Sequence, residues 1–201
     1  MTCIVGLVQD GKIYLGGDSA ATDSWETRAS RLKKVFRRGE FLIGYTSSFR
    51  MGQILQHHLD VRSKESGEDD EHFMVAGFVE AVRECLKKFA YTKVEHSREE
   101  GGTFLVGYNG GLYNVMSDFQ VNFYHDAYDA IGGGAQYALG AMRVLGEMAT
   151  PEARIYRALE AAAYFSNGVC APFYVDVMEP QIATCPTPSV KRRAVCGERE
   201  T

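Results

Sequence analysis

The chain has 201 residues, a net charge of −4, and 45% hydrophobic and 24% charged residues, which is the composition of an ordinary globular protein. It lacks the basic surplus of a nucleic-acid-binding surface and any apolar run near the roughly 20 residues that span a bilayer. We therefore expect no nucleic-acid partner and no membrane partner. This length fits one large domain or two small ones.

The first 45 residues are predicted to form strands. Residues 2–9 and 12–17 are apolar and are separated by Asp10-Gly11, which predicts a β-hairpin. A further strand is predicted at residues 40–45, after a basic stretch at residues 31–38.

Helical periodicity begins after Ser47-Ser48, either of which is placed to act as an N-cap. Apolar residues recur at helical spacing over residues 49–59 and again over residues 73–89. Between these helices, residues 62–70 predict a charged loop. Residues 91–100 are polar, and we expect them to be mobile.

The second half of the chain begins with another predicted hairpin. Residues 103–108 and 112–116 flank the turn Asn109-Gly110-Gly111, a sequence typical of hairpin turns. Residues 119–131 have the composition of a strand as far as Gly132-Gly133-Gly134, which interrupts it.

Two helices and a strand complete the predicted elements. One helix is expected at residues 135–148. A second runs from Thr150-Pro151 to about residue 165, because Thr is a good N-cap and Pro suits the first helical position. The last strand is predicted at residues 173–178.

This order of elements predicts the fold class. Each hairpin must bury one face and each helix pair one apolar stripe. The simplest solution packs two antiparallel sheets together and places a helix pair on each outer face. We predict an α+β fold, a four-layer αββα sandwich, as a single domain over residues 1–179, followed by a mobile C-terminal tail at residues 180–201.

Cysteine usage and the N-terminal residues bear on the cellular compartment. The five cysteines are scattered and form no Cys-x-x-Cys pair, which argues against a disulfide framework and a structural zinc site. The first residues lack the basic region and long apolar run of a signal peptide. We therefore expect a cytoplasmic protein without a cofactor.

Thr2, directly after Met1, is the first candidate for chemistry. Removal of Met1 would leave a free α-amine with a reference pKa of about 7.7–8.0. Such an amine is a general base beside the hydroxyl of its own residue. Because Met-Thr starts are common, this feature alone indicates little.

Three other features have both a structural and a chemical interpretation. Asp18 follows the second strand and is either a turn former or a catalytic carboxylate. Lys33-Lys34 belongs either to a solvated strand edge or to a buried site in which a lysine beside Asp18 lowers the pKa of a neighbouring amine. Gly132-Gly133-Gly134 either holds an anion on backbone N–H groups or forms a sharp turn, and it matches no nucleotide-binding loop.

Together these residues resemble the proteasome β-subunit family, and especially its bacterial relative HslV, over residues 2–178. Four segments follow the family's motifs in order and at matching spacing: residues 2–6 (TCIVG), 17–22 (GDSAAT), 32–35 (LKKV) and 130–138 (AIGGGAQYA). The resemblance implies the fold of the N-terminal nucleophile (Ntn) hydrolases, which is the same αββα sandwich.

The resemblance also implies roles for individual residues. Thr2 would be the nucleophile and its α-amine the base, while Asp18 and Lys34 would orient the nucleophile and tune its charge. The backbone N–H of Ser47 would be an oxyanion donor. The residues that would line the substrate cleft by position are Ala21, Thr22, Lys34, Tyr45 and Ser48.

The chain departs from the family pattern around this site. Ser47-Ser48 stands where the family usually has Gly-Gly. Gly133 occupies the position of a serine whose hydroxyl helps the terminal amine. Tyr164 and Asn167 align with an Asp and a Ser of the proteasome, although Ser166-Asn167 resembles the Thr-Asn of HslV. These departures thin the shell around the nucleophile.

Three functions follow from this comparison of motifs. The first is a threonine-type endopeptidase, a homo-oligomeric ring or stack of rings that degrades unfolded polypeptides supplied by an ATP-dependent unfoldase. Its activation would need only the removal of Met1. The alternative is a catalytically weak or inactive ring scaffold. The third is an amidohydrolase for small amides, because one fold hosts several chemistries. No metal is expected in catalysis, and the sequence leaves open whether a monovalent cation lies near Ala163 and Ser166.

Overall fold

The computed structural model describes residues 2–23, 25–95, 98–146 and 149–180. Its strands are β1 (Ile4–Gln9), β2 (Lys12–Gly17), β3 (Ala20–Thr22), β4 (Thr27–Ala29), β5 (Val35–Arg38), β6 (Phe41–Tyr45), β7 (Lys93–Glu95), β8 (Arg98–Glu100), β9 (Phe104–Tyr108), β10 (Gly111–Val115), β11 (Val121–Asn122), β12 (Tyr128–Ile131) and β13 (Tyr174–Met178). Its helices are α1 (Phe49–His58), α2 (Asp70–Phe73), α3 (Val79–Lys88), α4 (Ala135–Leu145) and α5 (Pro151–Phe165), and a π-helical segment, Met74–Phe78, joins α2 to α3. Within the described ranges, no helix has the length and apolar character needed to cross a membrane.

The strands form two main antiparallel sheets. The first has the order β12-β1-β2-β13 and the second the order β11-β10-β9-β6-β5. The hairpins predicted at Asp10-Gly11 and Asn109-Gly110-Gly111 are both present, with Gln9 opposite Lys12 and Tyr108 opposite Gly111. Each hairpin therefore forms the centre of one sheet.

The hydrophobic core lies in three layers between and outside the sheets. Side chains such as Ile4, Leu15 and Leu105 fill the space between the two sheets. Helices α1 and α3 cover the outer face of the five-stranded sheet through a cluster that includes Phe41. Helices α4 and α5 cover the four-stranded sheet through a cluster that includes Ile155. The predicted α+β fold, a four-layer αββα sandwich, is confirmed.

Helix boundaries follow the capping residues closely. The Ser48 hydroxyl accepts from the backbone N–H groups of Arg50 and Met51 at the start of α1. The Thr150 hydroxyl accepts from Ala153 N, with Pro151 as the first residue of α5. The helix predicted at residues 73–89 begins three residues earlier, because the Asp69 carboxylate caps the first turn.

The structure corrects several element predictions. The polar residues 91–100, expected to be mobile, carry the paired strands β7 and β8. The strand predicted over residues 119–131 is divided between β11 and β12, which lie in different sheets. The short hairpin of β3 and β4 and the edge strand β5 were not predicted, because β3 and β4 have only three residues each and β5 lies in a basic stretch. Of the tail predicted at residues 180–201, all but residue 180 lies outside the described residues.

Candidate active site

Thr2 lies just before β1, between the ends of the two sheets, and its residue is 6% exposed. The loop after β12 holds it from one side, because the Gly134 N–H donates to the Thr2 carbonyl oxygen at 3.3 Å. Gly132 of this loop has φ +95°, and a Cβ at this position would lie 2.2 Å from the Thr2 carbonyl oxygen. Only glycine allows the loop to approach the Thr2 backbone this closely.

A lysine and an aspartate complete a buried cluster at this point. Lys34 Nζ lies 3.0 Å from Thr2 Oγ1 and 2.9 Å from Asp18 Oδ1. The side chains of Lys34 and Asp18 are 2% and 0% exposed. Asp18 directly follows β2 and Lys34 directly precedes β5, so the cluster joins one strand end from each sheet to the start of the chain. The three residues singled out in the sequence lie together.

Backbone groups fix the Asp18 carboxylate from three directions. Its Oδ1 accepts from Cys3 N at 3.0 Å, and its Oδ2 accepts from Ala20 N at 2.7 Å and from Cys170 N at 3.4 Å. Together with Lys34, four N–H donors surround one carboxylate, which suits an acceptor-only side chain. The Cys3 contact also ties Asp18 to the residue that follows Thr2.

The electrostatics of Lys34 reflect two opposing effects. Burial lowers the pKa of Lys34 below its usual value, and the charge and hydrogen bond of Asp18 oppose this shift. The Phe49 ring, with its centroid 5.7 Å from Nζ, borders the same ammonium. In the protonated form, Lys34 donates a hydrogen bond to the Thr2 hydroxyl. An ammonium at this distance stabilises negative charge that develops on Thr2 Oγ1.

The Cys3 thiol and the Tyr45 hydroxyl are poor nucleophiles at neutral pH, because each would first have to lose a proton. Burial raises the pKa of the Cys3 thiol to about 12, and Asp18 adds to the shift. Burial likewise raises the pKa of Tyr45 to about 12. Because a thiolate, not a thiol, is the reactive form of cysteine, Cys3 does not compete with the hydroxyl of Thr2.

A small cleft with a cavity volume of about 70 Å³ opens onto Thr2. The residues that line it are Thr2, Ala20, Thr22, Lys34, Tyr45, Thr46, Ser47, Ser48 and Phe49. Thr22, Lys34, Tyr45 and Ser48 thus lie where the sequence placed them. Ala21 does not line the cleft, and Ala20 takes its place. Successive side chains of a strand point to opposite faces, so Ala20 and Thr22 of β3 share the face that Ala21 avoids.

Ser47 adopts an unusual backbone conformation at the edge of the cleft. Its φ is +75°, in the left-handed region that glycine enters freely and other residues rarely adopt. The Ser48 N–H donates to the Thr46 carbonyl, whereas the Ser47 N–H has no hydrogen-bond partner in the described part of the chain. The turn therefore leaves one backbone donor unused beside the cleft.

The remaining predicted site positions lie around this centre. Gly133 is exposed in the loop that holds Thr2 and brings no hydroxyl to it. Ser166 is buried at the end of α5, close in sequence to the half-buried Ala163. Among the described residues, no group of three or more His, Cys, Asp or Glu side chains is placed to hold a metal ion.

Several contacts at the site were not anticipated from the sequence. The Cys170 N–H reaches Asp18 from 152 positions away in the chain, and no local pattern predicts such a contact. Thr46 and Phe49 line the cleft but carry no motif. By contrast, the sequence does contain a signal for the positive φ of Gly132, because this residue begins a run of three glycines and glycine permits that conformation.

The four-layer sandwich, in which Thr2, Asp18 and Lys34 lie together at the start of the chain, has the fold of the Ntn hydrolases. It is similar to BPH, a bacterial proteasome homologue from Thiobacillus denitrificans, in two solved structures. In the complex with epoxomicin the TM-score is 0.72 and the identity 20%, covering 90% of this chain and 100% of that chain. In the other BPH structure the TM-score is 0.72 and the identity 21%, covering 89% and 98%.

Eukaryotic HslV from Trypanosoma brucei is also similar, with a TM-score of 0.65 and 19% identity over 88% of this chain and 99% of that chain. No protein-family model and no curated protein matches the chain. At this level of identity the comparison establishes the fold. The proteasome- and HslV-like fold expected from the sequence motifs is confirmed.

Proposed function

We propose that the protein is a threonine-type endopeptidase in which Thr2, made N-terminal by removal of Met1, is the nucleophile. One observation carries this proposal: Lys34 Nζ lies 3.0 Å from Thr2 Oγ1 while bound to Asp18, in a buried cluster that opens onto a cleft. The Thr2 hydroxyl on this cleft is thus in contact with an ammonium.

The proposed reaction uses two functions of the same residue. The α-amine of Thr2 accepts the hydroxyl proton, and Oγ1 attacks the carbonyl carbon of the substrate peptide bond. The amide C–N bond then breaks, the amine of the leaving peptide takes the proton, and water hydrolyses the resulting ester. Lys34 stabilises the alkoxide character of Oγ1, and Asp18 holds Lys34 in place.

We assign the unused N–H of Ser47 to the oxyanion of the tetrahedral intermediate. Its position on the cleft and its lack of a partner support this role. Removal of one such donor in other enzymes costs about 3–4 kcal/mol of transition-state stabilisation. The strained φ of Ser47 is what directs this N–H group, because an ordinary negative φ would rotate the peptide plane.

The fold comparison supports a proposal for the substrate and the assembly. We infer a homo-oligomeric ring, related in fold to HslV and BPH, that acts on unfolded polypeptides delivered by an ATP-dependent unfoldase in the cytoplasm. On the cleft, Tyr45 forms an aromatic wall, and a substrate side chain beside the scissile bond would pack against it. This wall favours a small or medium-sized apolar side chain.

Intact-mass spectrometry with epoxomicin, which BPH binds in its solved complex, tests the proposal directly. The wild-type chain should lack Met1 and gain the mass of one inhibitor molecule. Thr2→Ala should gain none. A Thr2→Ala chain that hydrolyses peptides as fast as the wild type contradicts the assignment of the nucleophile.

Substitution of the adjacent residues Lys33 and Lys34 provides a matched pair of variants that tests the role of the lysine in the site. Lys34→Ala should lose most peptidase activity while it remains folded. Lys33→Ala removes an exposed neighbour whose ammonium lies over the Tyr174 ring and should behave like the wild type. Equal activity of the two variants would refute the role of Lys34.

The alternative is a ring scaffold with weak or no turnover. Gly133 favours it, because the hydroxyl that this position supplies in the family is absent. The same mass experiment separates the two functions: a wild-type chain that has lost Met1 but forms no adduct, in an assembled particle, fits the scaffold. Restoring the hydroxyl with Gly133→Ser would then be expected to restore adduct formation.

A further inference from the structure

The Lys34 ammonium has more N–H groups than oxygen partners. A lysine ammonium carries three N–H donors. In the described part of the chain, Asp18 Oδ1 at 2.9 Å and Thr2 Oγ1 at 3.0 Å accept from two of them. Because the Lys34 side chain is 2% exposed, water compensates little for the third. The charge of this lysine therefore needs a further source of stabilisation.

An aromatic ring lies close enough to supply it. Lys34 Nζ lies over the Phe49 ring, 5.7 Å from its centroid, within the roughly 6 Å over which the electron-rich face of a ring attracts a cation. This attraction is stronger in a desolvated site than at the surface. Lys33 provides a comparison: its ammonium lies 5.2 Å from the Tyr174 centroid, but Lys33 is exposed. The contact of the buried Lys34 is therefore the stronger of the two.

The fold holds the Phe49 ring in this position. Phe49 is the first residue of α1, and Ser48 caps this helix. The Tyr45 ring lies against the Phe49 ring, with centroids 6.4 Å apart and planes at 79°. Tyr45 is itself packed on the helix, since a Cβ at Gly52 would lie 2.2 Å from its ring. The Tyr45 hydroxyl stays protonated at neutral pH, because burial raises its pKa to about 12.

The other titratable groups that face Lys34 come from three segments of the chain. Asp18 lies after β2, Cys3 before β1 and Cys170 after α5, and all three favour the charged form of Lys34. The two thiols are neutral at neutral pH, because burial raises the pKa of each. The α-amine of processed Thr2 is a further titratable group beside the cluster. Asp18 is thus the principal anion that offsets the burial of Lys34.

We propose that Phe49 is a positioning residue for Lys34. The face of its ring stabilises the protonated ammonium and holds it against the Thr2 hydroxyl, where a charged donor stabilises developing negative charge. This inference deepens the proposed function and rests on it for the effect on reactivity. The effect on the charge of Lys34 can be measured whether or not Thr2 is a nucleophile.

The proposal predicts the direction of a pH effect. The ring favours the protonated form, so it raises the pKa of Lys34 above the value that the other groups alone would give, and weakening the ring lowers it. Adduct formation requires a neutral α-amine and a charged Lys34. Its rate should therefore rise with pH through the pKa of the amine and fall through that of Lys34. A weaker ring should move the falling limb to lower pH and leave the rising limb in place.

Fluorinated phenylalanines at position 49 test this directly, because fluorine withdraws electron density from the ring face and changes its size little. The pKa of Lys34 is measured by nuclear magnetic resonance of isotope-labelled lysine, with the signal assigned by its absence in Lys34→Met. From mono- to trifluorophenylalanine the pKa of Lys34 should fall stepwise, by about 0.5–1 pH unit in total. Phe49→Leu keeps an apolar side chain without a ring face and should lower the pKa similarly.

Phe36 provides the matched control. Its ring also lies against Tyr45, with centroids 6.2 Å apart, and it is buried. Among the described residues, no lysine or arginine lies over the Phe36 ring. Trifluorophenylalanine at position 36 should leave the pKa of Lys34 unchanged. An equal shift from both positions would mean that fluorine acts through packing, and would overturn the proposal.

The rate of epoxomicin adduct formation, measured against pH, is the second readout. Its falling limb should move by the same amount as the pKa of Lys34. If fluorination at position 49 leaves this pKa unchanged, or lowers the rate equally at every pH, Phe49 has only a packing role and the inference is wrong.

The failure of this inference is distinguishable from that of the proposed function. A wild-type chain that forms no adduct, but in which fluorination lowers the pKa of Lys34, contradicts the peptidase and supports the contact between Phe49 and Lys34. A chain that forms the adduct with a falling limb that fluorination does not move contradicts the inference alone.

Discussion

The two adjacent serines at the cleft should respond in opposite ways to substitution. Ser47 has φ +75°, whereas Ser48 has φ −143° and caps α1. The left-handed conformation costs a residue with a Cβ about 1–2 kcal/mol, while glycine loses about 0.5–1 kcal/mol more conformational entropy on folding. Ser47→Gly should therefore stabilise the fold by about 0.5–1 kcal/mol.

The side-chain contact of Ser47 changes this figure little. Its hydroxyl lies 3.3 Å from Thr46 Oγ1 on an exposed residue, and a hydrogen bond accessible to water contributes little net stability. Ser47→Ala keeps the Cβ and should leave stability unchanged within about 0.5 kcal/mol. Ser48→Ala removes the hydroxyl that accepts from Arg50 N and Met51 N, and should cost about 1 kcal/mol.

Urea denaturation of the three variants measures these differences, provided that the slope of the free energy of unfolding against urea concentration is constant. Epoxomicin adduct formation provides a second measurement, because Ser47→Gly keeps the backbone N–H and should react at least as fast as the wild type. If Ser47→Gly destabilises the protein by 1 kcal/mol, or if Ser48→Ala is neutral, the strain and capping argument is wrong.

Three further predictions concern the residues around Thr2. The folded-state pKa of Cys3, about 12, lies above its ordinary value of 9.0, so its contribution to stability is complete below pH 9 and falls by roughly 1.4 kcal/mol per pH unit above it. The free energy of unfolding of Cys3→Ala, measured by urea titration between pH 9 and 11, should fall less steeply than that of the wild type by this amount. Part of the slope remains, because burial also raises the pKa values of Tyr45 and Tyr113 to about 12. Gly132→Ala should cost about 3 kcal/mol or more, because its Cβ would lie 2.2 Å from a backbone oxygen. Gly39→Ala, also at positive φ but in open space, should cost about 1 kcal/mol, and equal losses would contradict the close approach. In the same assay, Asp18→Ala should lose more stability than Lys34→Met, because it leaves three backbone N–H groups unpaired.

The parts of the fold that the sequence predicts are those with a local cause. Asp10-Gly11 and Asn109-Gly110-Gly111 determine where two hairpins turn, and Thr150-Pro151 determines where a helix starts. The division of residues 119–131 between two sheets has no local cause. It depends on which neighbouring strand each short segment meets once the layers pack, and so it could not be predicted.

The candidate site likewise combines features that have a local cause in the sequence with features that have none. Thr2, Asp18 and Lys34 each belong to a sequence motif next to the end of a strand, and the hairpin topology brings these strand ends together. The exchange of Ala21 for Ala20 on the cleft reflects the register of a three-residue strand, where a shift of one position reverses every side chain. The Cys170 contact to Asp18 depends on the path of the chain after α5, which no short pattern encodes.

The buried pair at the site is better explained by function than by stability. A buried ion pair generally adds little net stability, because desolvation of both charges offsets their attraction. Asp18 has a structural reason to be charged, since its carboxylate accepts from three backbone N–H groups on separate segments. Lys34 has none of this support. Besides the Asp18 carboxylate, its ammonium donates to the hydroxyl of Thr2, and burial works against its charge. A buried lysine that points at a hydroxyl on the edge of a cleft is what the proposed reactivity of that hydroxyl requires.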